Sequence, residues 1–168
     1  MLQTVKPKRF RVKDARIAIV ASLYNARYVE GMLRAAKAQL KAAGVERVQV
    51  IRVPGAFEIP VVAASLARSQ APACHGNGRE RSPDLSAIVC LGVILRGETT
   101  HAAHIGEAVS RALMEIQVQS GVPIVHEVLL LENEAQAKAR CLTRDHNRGT
   151  EAAQTALTMA QVMKSISL

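Results

Sequence analysis

Residues 87–95 most restrict the fold, because this run, AIVCLGVIL, contains no charged side chain. A strand with one exposed face alternates apolar and polar residues, whereas a strand buried on both faces is apolar throughout. The run is also far shorter than the roughly 18 apolar residues that a membrane span requires. It therefore predicts the central strand of a parallel sheet that is covered by helices on both faces.

Shorter apolar runs, with helical patterns between them, extend this sheet. Further strands are predicted over residues 16–21, 48–53 and 124–131. Between these runs, apolar residues recur every three or four positions, which is typical of amphipathic helices. Such helices are predicted over residues 29–40, 59–68 and 104–120.

Two more helices are predicted after the last strand. Asn133 followed by Gln136 resembles a capping box that opens a short helix to about Leu142. Thr150 is expected to cap a final helix that runs through Met163.

The alternation of strands and helices predicts where a ligand would bind. Strands separated by helices imply right-handed crossovers, and hence an α/β fold with a four-stranded parallel sheet between helical layers. Ligands of such sheets bind beyond the carboxyl ends of the strands. The turns at residues 22–25, 54–58 and 93–101 are therefore the candidate site.

The turn after the central strand reads RGETTH at residues 96–101. Gly97 permits a tight turn, and backbone N–H groups near Glu98 and Thr99 are placed to meet an anion at a helix N-terminus. His101 is the one plausible general acid/base of this turn. The alternative is that Thr99 or Thr100 merely caps the helix and that His101 is an ordinary surface residue.

The spacing of His101 and His104 suits one face of a helix and raises the question of a metal. A metal site needs a third ligand, and no Cys or His stands at matching spacing elsewhere. Cys74 and His75 lie in a polar loop and make a poor partner pair. No metal site is predicted.

Two other turns carry residues suited to a flat ligand. The segment VPGAFEIP at residues 53–60 presents backbone groups of Ala56 and Phe57 and the Glu58 carboxylate, which together can read the edge of an amide-like heterocycle. The alternative is that Glu58 interacts with a helix dipole. Tyr24 follows the first strand, where its ring can stack on a planar ligand or belong to the core.

Charge and aromatic content bear on the partners. The net charge of +8 raises nucleic acid as a partner, and the positive charge is concentrated in residues 6–13 and in Arg140, Arg144 and Arg148, whose helical spacing suggests one anion site. With two Phe, two Tyr and no Trp, the chain has no aromatic platform for stacking bases. We expect no nucleic-acid partner.

The chain is expected to be one domain over residues 1–168, with an extended basic arm at 1–13 and a surface loop at 69–84. The N-terminus lacks the apolar segment of a signal peptide, and no run would span a membrane. Cys74, Cys90 and Cys141 form an unpatterned trio, which indicates reduced thiols and a cytoplasmic protein. No phosphate-cradling glycine loop and no G-x-S-x-G elbow is present.

Four motifs together resemble one known family. VPGAFEIP at 53–60, LGxxxRGxTTH at 91–101, GVP at 121–123 and LENxxQAxxR at 131–140 are similar, in order and spacing, to the lumazine synthases. The resemblance runs from about Ile17 to Met163, and the 69–84 loop looks like an insertion relative to shorter members. It implies a flavodoxin-like three-layer sandwich.

The resemblance also implies a cofactor-free transferase of riboflavin biosynthesis. Its reaction is the condensation of 5-amino-6-(D-ribitylamino)uracil with 3,4-dihydroxy-2-butanone 4-phosphate to 6,7-dimethyl-8-ribityllumazine, the penultimate step. His101 matches the family's general acid/base, and Glu98, Thr99, Arg140 and Arg148 match its phosphate contacts. The contacts to the pyrimidine and the ribityl chain correspond to Tyr24, Ala56, Phe57, Glu58, Val93, Ile94, Leu95 and His126.

The chain departs from the family pattern at several of these positions. His126 stands where the family usually has Phe, and Arg148 where it usually has Lys. Ala102 and Ala103 replace the aromatic and acidic residues often found after the histidine, which removes a partner of His101.

Self-association is a further implication of the resemblance, as a homopentamer, a decamer or a 60-subunit cage. We expect each site to be shared between subunits, because Tyr24, 56–58 and 93–101 belong to strands one to three, whereas His126 and Arg140 belong to strand four and the helix after it, at another flank of the sheet. Two other classes of protein remain. A ribityl-compound carrier would need neither His101 nor Arg140, and a structural shell protein would not need the RGETTH turn.

Overall fold

A computed structural model describes residues 15–69 and 85–166 of the chain. The predicted arm at 1–13 and all of the predicted loop at 69–84 except Ser69 lie outside the described residues. Within the described part, the element order agrees with the predicted alternation of strands and helices.

The sheet contains four parallel strands in the order β2-β1-β3-β4. The strands are β1 (Arg16–Ser22), β2 (Arg47–Val53), β3 (Ala87–Leu95) and β4 (Ile124–Leu131). The apolar run of residues 87–95 is an inner strand, and Ile88, Val89, Cys90 and Leu91 have no exposed surface. The predicted fold class is therefore confirmed.

Helices cover both faces of this sheet. They are α1 (Ala26–Ala42), α2 (Ile59–Arg68), α3 (His101–Ser120), α4 (Glu134–Cys141) and α5 (Arg148–Ile166), with a 3₁₀ turn at Ala56–Glu58 before α2. One apolar cluster joins α1, α4 and α5 to the sheet, and a second joins α2 and α3 to the opposite face. No helix of the described residues combines the length and the apolarity needed to cross a membrane.

The start of α5 differs from the prediction. Asn147, not Thr150, caps this helix: its Oδ1 accepts a hydrogen bond from the Gly149 N–H at 2.9 Å, and its Nδ2 donates to the Cys141 carbonyl at 2.7 Å. Thr150 lies inside the first turn, where its N–H donates to the Asn147 carbonyl at 3.0 Å. The prediction was wrong because Asn147, whose side chain also bonds to Cys141 of α4, occupies the cap position three residues before Thr150.

The predicted cap of α4 is confirmed in its main contact. Asn133 Oδ1 accepts a hydrogen bond from the Gln136 N–H at 3.0 Å. The Gln136 side chain reaches back to the N–H of Glu132, also at 3.0 Å, one residue earlier than a standard capping box would place it. These bonds start α4 immediately after β4 ends at the edge where ligands are expected.

Candidate functional site

The strand order creates an opening at the carboxyl edge of the sheet. The chain leaves β1 for β2 on one side and later occupies β3 on the other, so the carboxyl ends of β1 and β3 flank a topological switch point. Pairing between β1 and β3 ends at Ala21 and Leu91, although β3 continues to Leu95. We call this opening the β1–β3 crevice, bounded by residues 22–25, 54–58 and 93–101.

Tyr24 lies at the mouth of the β1–β3 crevice with 72% of its surface exposed, which excludes the core alternative. Its ring lies against Gly55, where an added Cβ would come within 3.2 Å of the ring. The N–H groups of Leu23 and Tyr24 donate to the Val53 and Pro54 carbonyls at 2.8 and 3.1 Å. The turn after β1 is therefore tied to the turn after β2, with an aromatic ring on its outer side.

The 3₁₀ turn at Ala56–Glu58 forms the second wall. Glu58 Oε2 accepts a hydrogen bond from the Gly55 N–H at 2.8 Å, so this carboxylate holds the turn itself in shape. Phe57 is 62% exposed, and Ala56 is half-buried. A short turn of this kind leaves backbone groups available to a ligand.

The end of β3 supplies the third wall. The side chains of Val93 and Ile94 are buried in the cores on opposite faces of the sheet, and Leu95 is half-buried. These residues therefore present mainly backbone groups to the crevice. The Val93 carbonyl accepts a hydrogen bond from Asn25 Nδ2 at 2.8 Å, a contact that the sequence patterns did not predict.

Arg96 connects the next turn to β4, which was also not predicted. Its N–H donates to the Leu131 carbonyl at 2.8 Å, and its guanidinium forms an ion pair with Glu132 at 3.3 Å. Because both partners lie where β4 ends, Arg96 attaches the start of the RGETTH turn to the edge of the sheet. The sequence signal for this ion pair was an Arg directly after β3 and a Glu directly after the next strand, β4.

The RGETTH turn leads into α3, which begins near His101 as this segment predicted, three residues before the apolar helical pattern starts. Glu98 and Thr99 are exposed, and His101 is the exposed first residue of α3. Thr100 holds the N-cap position without a side-chain capping bond, and Thr99 Oγ1 accepts a long hydrogen bond of 3.4 Å from the His101 N–H. The capping bond of Thr99 is therefore weak, and the side chains of Thr99, Thr100 and His101 are all exposed.

His126 lies away from the crevice within its own subunit. It is paired with Cys90 near the middle of the edge strand β4, and its ring contacts Ser110 of α3. Nδ1 accepts a hydrogen bond from the Val128 N–H at 3.3 Å, so Nε2 carries the proton and donates to Ser110 Oγ at 2.8 Å. Burial lowers the pKa of His126, which agrees with this neutral tautomer.

Arg148 is engaged with two carboxylates on the opposite face of the sheet. Its Nε and Nη2 donate to the two oxygens of Glu127 at 2.9 and 2.8 Å, and its Nη1 contacts Glu151. Glu127 is only 5% exposed, and this burial raises its pKa to about 7 against the opposing charge of Arg148. A phosphate would have to compete with both carboxylates for this guanidinium.

Arg140 and His101 lie on opposite faces of the sheet. Arg140 is exposed on α4, whose Ala137 and Cys141 pack in the cluster of α1 and α5, whereas Ala102 of α3 packs in the other cluster. The sheet order agrees with the expected division by strand position, since β4 lies at the edge of the sheet beyond β3, although β3 and β4 pair directly and Val93 lies beside Leu129. It is the sheet itself that stands between the two groups.

Within the described residues, the thiols and carboxylates elsewhere form no further candidate site. Cys90 and Cys141 are free and buried, and burial, followed by the charge of Glu127, raises the pKa of Cys141 to about 11. Across residues 15–69 and 85–166, no three His, Cys, Asp or Glu side chains gather closely enough to hold a metal ion.

The fold is that of a doubly wound α/β protein, a class whose members bind small molecules where the strand order reverses. The family model of 6,7-dimethyl-8-ribityllumazine synthase matches residues 14–164. A protein of that name from Xanthomonas oryzae pv. oryzae (strain PXO99A) is 37% identical over 156 residues, which cover 92% of this chain and 93% of the relative.

Similar relatives occur in two further organisms. A 6,7-dimethyl-8-ribityllumazine synthase from Kineococcus radiotolerans is 38% identical over 154 residues, covering 90% of this chain and 87% of its own. One from Stenotrophomonas maltophilia (strain R551-3) is 36% identical over 156 residues, covering 92% of each chain. The chain belongs to the 6,7-dimethyl-8-ribityllumazine synthase family, as its motifs predicted.

Proposed function

We propose that this chain condenses 5-amino-6-(D-ribitylamino)uracil with 3,4-dihydroxy-2-butanone 4-phosphate to 6,7-dimethyl-8-ribityllumazine, the penultimate step of riboflavin biosynthesis. The observation that carries this proposal is that Tyr24, the 56–58 turn and the RGETTH turn follow the carboxyl ends of three adjacent strands in a chain of this family. The enzyme is a transferase that requires no cofactor.

The pyrimidine occupies the β1–β3 crevice in this proposal. The exposed ring of Tyr24 stacks on its face, since a flat ring gains most from an aromatic partner beside it. Backbone groups of Ala56, Phe57 and residues 93–95 read the edge of the ring and the ribityl chain. Glu58 supports this wall through its bond to the Gly55 N–H.

The butanone phosphate occupies the RGETTH turn. The N–H groups at the start of α3 and the Thr99 hydroxyl donate to the phosphate, as helix N-termini commonly do. An amine of the pyrimidine attacks the ketone, water leaves as the Schiff base forms, phosphate departs, and the ring closes with loss of a second water. His101 moves protons in these steps, while most of the acceleration comes from holding two flexible substrates in reacting geometry.

The site is completed by a neighbouring subunit of a homopentamer in the cytoplasm. Arg140 lies on the face of the sheet opposite to His101, so one subunit does not bring both to the same phosphate. A head-to-tail ring apposes two different surfaces of adjacent subunits, which allows Arg140 of one to reach the RGETTH turn of the next. His126 and Arg148 reach that interface only if their internal bonds to Ser110 and Glu127 are exchanged.

Turnover by the purified protein tests the proposed reaction. We expect lumazine absorbance to rise when both substrates are present and to stay flat when either is omitted. A folded protein that binds riboflavin but produces no lumazine would contradict the proposal and favour the ribityl-compound carrier.

A further inference from the structure

Asn25 has an unusual backbone conformation at the base of the β1–β3 crevice. Its φ of 54° and ψ of 40° place it in the left-handed region, and it is the one such residue other than glycine among residues 15–69 and 85–166. Asn tolerates this region better than most residues. The conformation turns the chain from β1 into α1, and the Asn25 carbonyl accepts the first helical bonds from Tyr28 and Val29.

The side chain of Asn25 bridges the two strands that flank the crevice. Its Nδ2 donates to the Val93 carbonyl at 2.8 Å, although the two residues are 68 positions apart in the chain. Strand pairing between β1 and β3 has already ended at Ala21 and Leu91. The side-chain amide therefore replaces the next backbone hydrogen bond between β1 and β3, at the point where these two strands separate.

The same turn is bound on its other side to β2. The N–H groups of Leu23 and Tyr24 donate to the carbonyls of Val53 and Pro54. The Tyr24 ring is thus carried by a turn that is attached to β2 through backbone bonds and to β3 through a single side chain. Loss of that side chain would release the turn from β3 while leaving the rest of the attachment in place.

We propose that Asn25 is a positioning residue that sets the distance between the Tyr24 ring and the backbone of residues 93–95. This inference rests on the proposed binding of the pyrimidine in the crevice. A ring held between Tyr24 on one side and strand-end backbone on the other is bound tightly only when these walls keep a constant spacing. Asn25 acts on the pyrimidine alone, because the RGETTH turn is attached separately, through Arg96, to the end of β4.

Two substitutions separate the amide from the backbone conformation. Asn25→Gly keeps the left-handed turn, which glycine adopts freely, and removes the bond to Val93. Asn25→Asp keeps the shape of the side chain but places a carboxylate oxygen against the Val93 carbonyl. Gly44→Ala is the matched control: Gly44 has φ +83°, an added Cβ meets no atom within 4 Å, and the residue follows the far end of α1. It strains a left-handed position without touching the crevice.

The test measures KM for each substrate and the Kd of riboflavin by quenching of its fluorescence. In Asn25→Gly we expect KM for the pyrimidine and the Kd of riboflavin to rise about fivefold to tenfold, the loss that one net hydrogen bond represents. Asn25→Asp should show at least this rise. KM for the butanone phosphate should stay within twofold in both, and Gly44→Ala should leave all three constants unchanged.

The outcomes separate this inference from the proposed reaction. Suppose that the wild-type protein makes no lumazine but that the Asn25→Gly variant binds riboflavin more weakly than wild type. The positioning role of Asn25 would then be supported and the proposed reaction would be wrong. If the wild-type protein is active and Asn25→Gly binds pyrimidine and riboflavin normally, the positioning role is wrong. Equal rises of both KM values, or the same change in Gly44→Ala, would show general destabilisation and would also overturn it.

Discussion

The β1–β3 crevice and the β4 flank differ in how their polar side chains are placed, although the residue types are similar. By the β4 flank we mean His126, Glu127 and Arg148. In the crevice, Tyr24, Thr99 and His101 are exposed at the ends of their elements. At the β4 flank, each polar side chain is bonded within the subunit: His126 to Ser110, and Glu127 to Arg148. The comparison shows that residue type alone does not make a side chain available to a ligand.

The difference has a physical origin in the position along the strand. A side chain beyond the carboxyl end of a parallel strand has no covering helix and can remain exposed. A polar side chain inside a covered strand must find a partner, because burial without one is costly. Within the part of the chain that the structure describes, the exposed side chains of Tyr24 and His101 are therefore free of internal bonds that a ligand would have to replace, whereas the β4 flank first has to give up its internal bonds.

The largest effect is expected at His101. His101→Ala should reduce turnover by roughly 100-fold without abolishing it, since proton transfer contributes on this order and substrate orientation is unchanged. His104→Ala, one helical turn further along α3 and also exposed, is the control and should retain full activity. The measurement is kcat from lumazine absorbance. Activity of His101→Ala within twofold of wild type would remove the histidine from the mechanism.

Arg148 should matter first for stability. Arg148→Ala leaves Glu127 buried without its bidentate partner, which we expect to lower the free energy of unfolding by about 2 kcal/mol. Chemical denaturation measures this loss. A variant as stable as wild type, but with a higher KM for the butanone phosphate, would show that Arg148 leaves Glu127 to bind phosphate, and the comparison of the two regions would then fail at this residue.

Arg140 should affect one substrate only. Arg140→Ala should raise KM for the butanone phosphate by about tenfold, because a charged hydrogen bond to phosphate is lost, with KM for the pyrimidine within twofold. Lys138→Ala is the matched control, since Lys138 lies on the same helix and pairs with Glu134 at its surface. Equal effects of Arg140→Ala on both substrates would assign Arg140 to something other than phosphate.

The smallest expected effect concerns the pH dependence of the β4 flank. The folded protein lowers the pKa of His126 below its ordinary value of 6.5, so the stability that the neutral ring contributes is present above pH 6.5 and is lost as the pH falls. Thermal unfolding should show a loss of stability as the pH falls below this value in wild type and a smaller loss in His126→Phe. Identical pH profiles of the two proteins would mean that His126 is not held neutral.

Much of the fold was predictable because burial dictates the pattern directly. The apolar run of β3 and the Asn133 cap of α4 each carry their structural reason in local sequence. The start of α5 was not predictable from local sequence. Its cap is Asn147, whose side chain also bonds to Cys141 of another helix. The hydrogen bond from Asn25 to Val93 also joins residues that are far apart in the chain, so no local pattern predicts it.

The candidate site was likewise predictable only in part. The three turns of the crevice follow from the rule on strand ends together with the family motifs. The internal bonds of His126 and Arg148 depend on Ser110 and Glu127, which lie 16 and 21 positions away in the chain and carry no motif. Which face of the sheet each half of the site occupies also emerged only from the packing of α3 and α4.

The central claim is that the crevice of one subunit and Arg140 of its neighbour form one site, and reassembly of two variants tests it most directly. One variant carries Tyr24→Ala with His101→Ala, the other Arg140→Ala, and each is assayed with butanone phosphate well below KM. Denatured together in equal amounts and reassembled, about a quarter of random head-to-tail interfaces combine two intact halves. The account predicts recovery of about a quarter of wild-type activity. Rings of the expected mass with no more activity than the separate variants would contradict it.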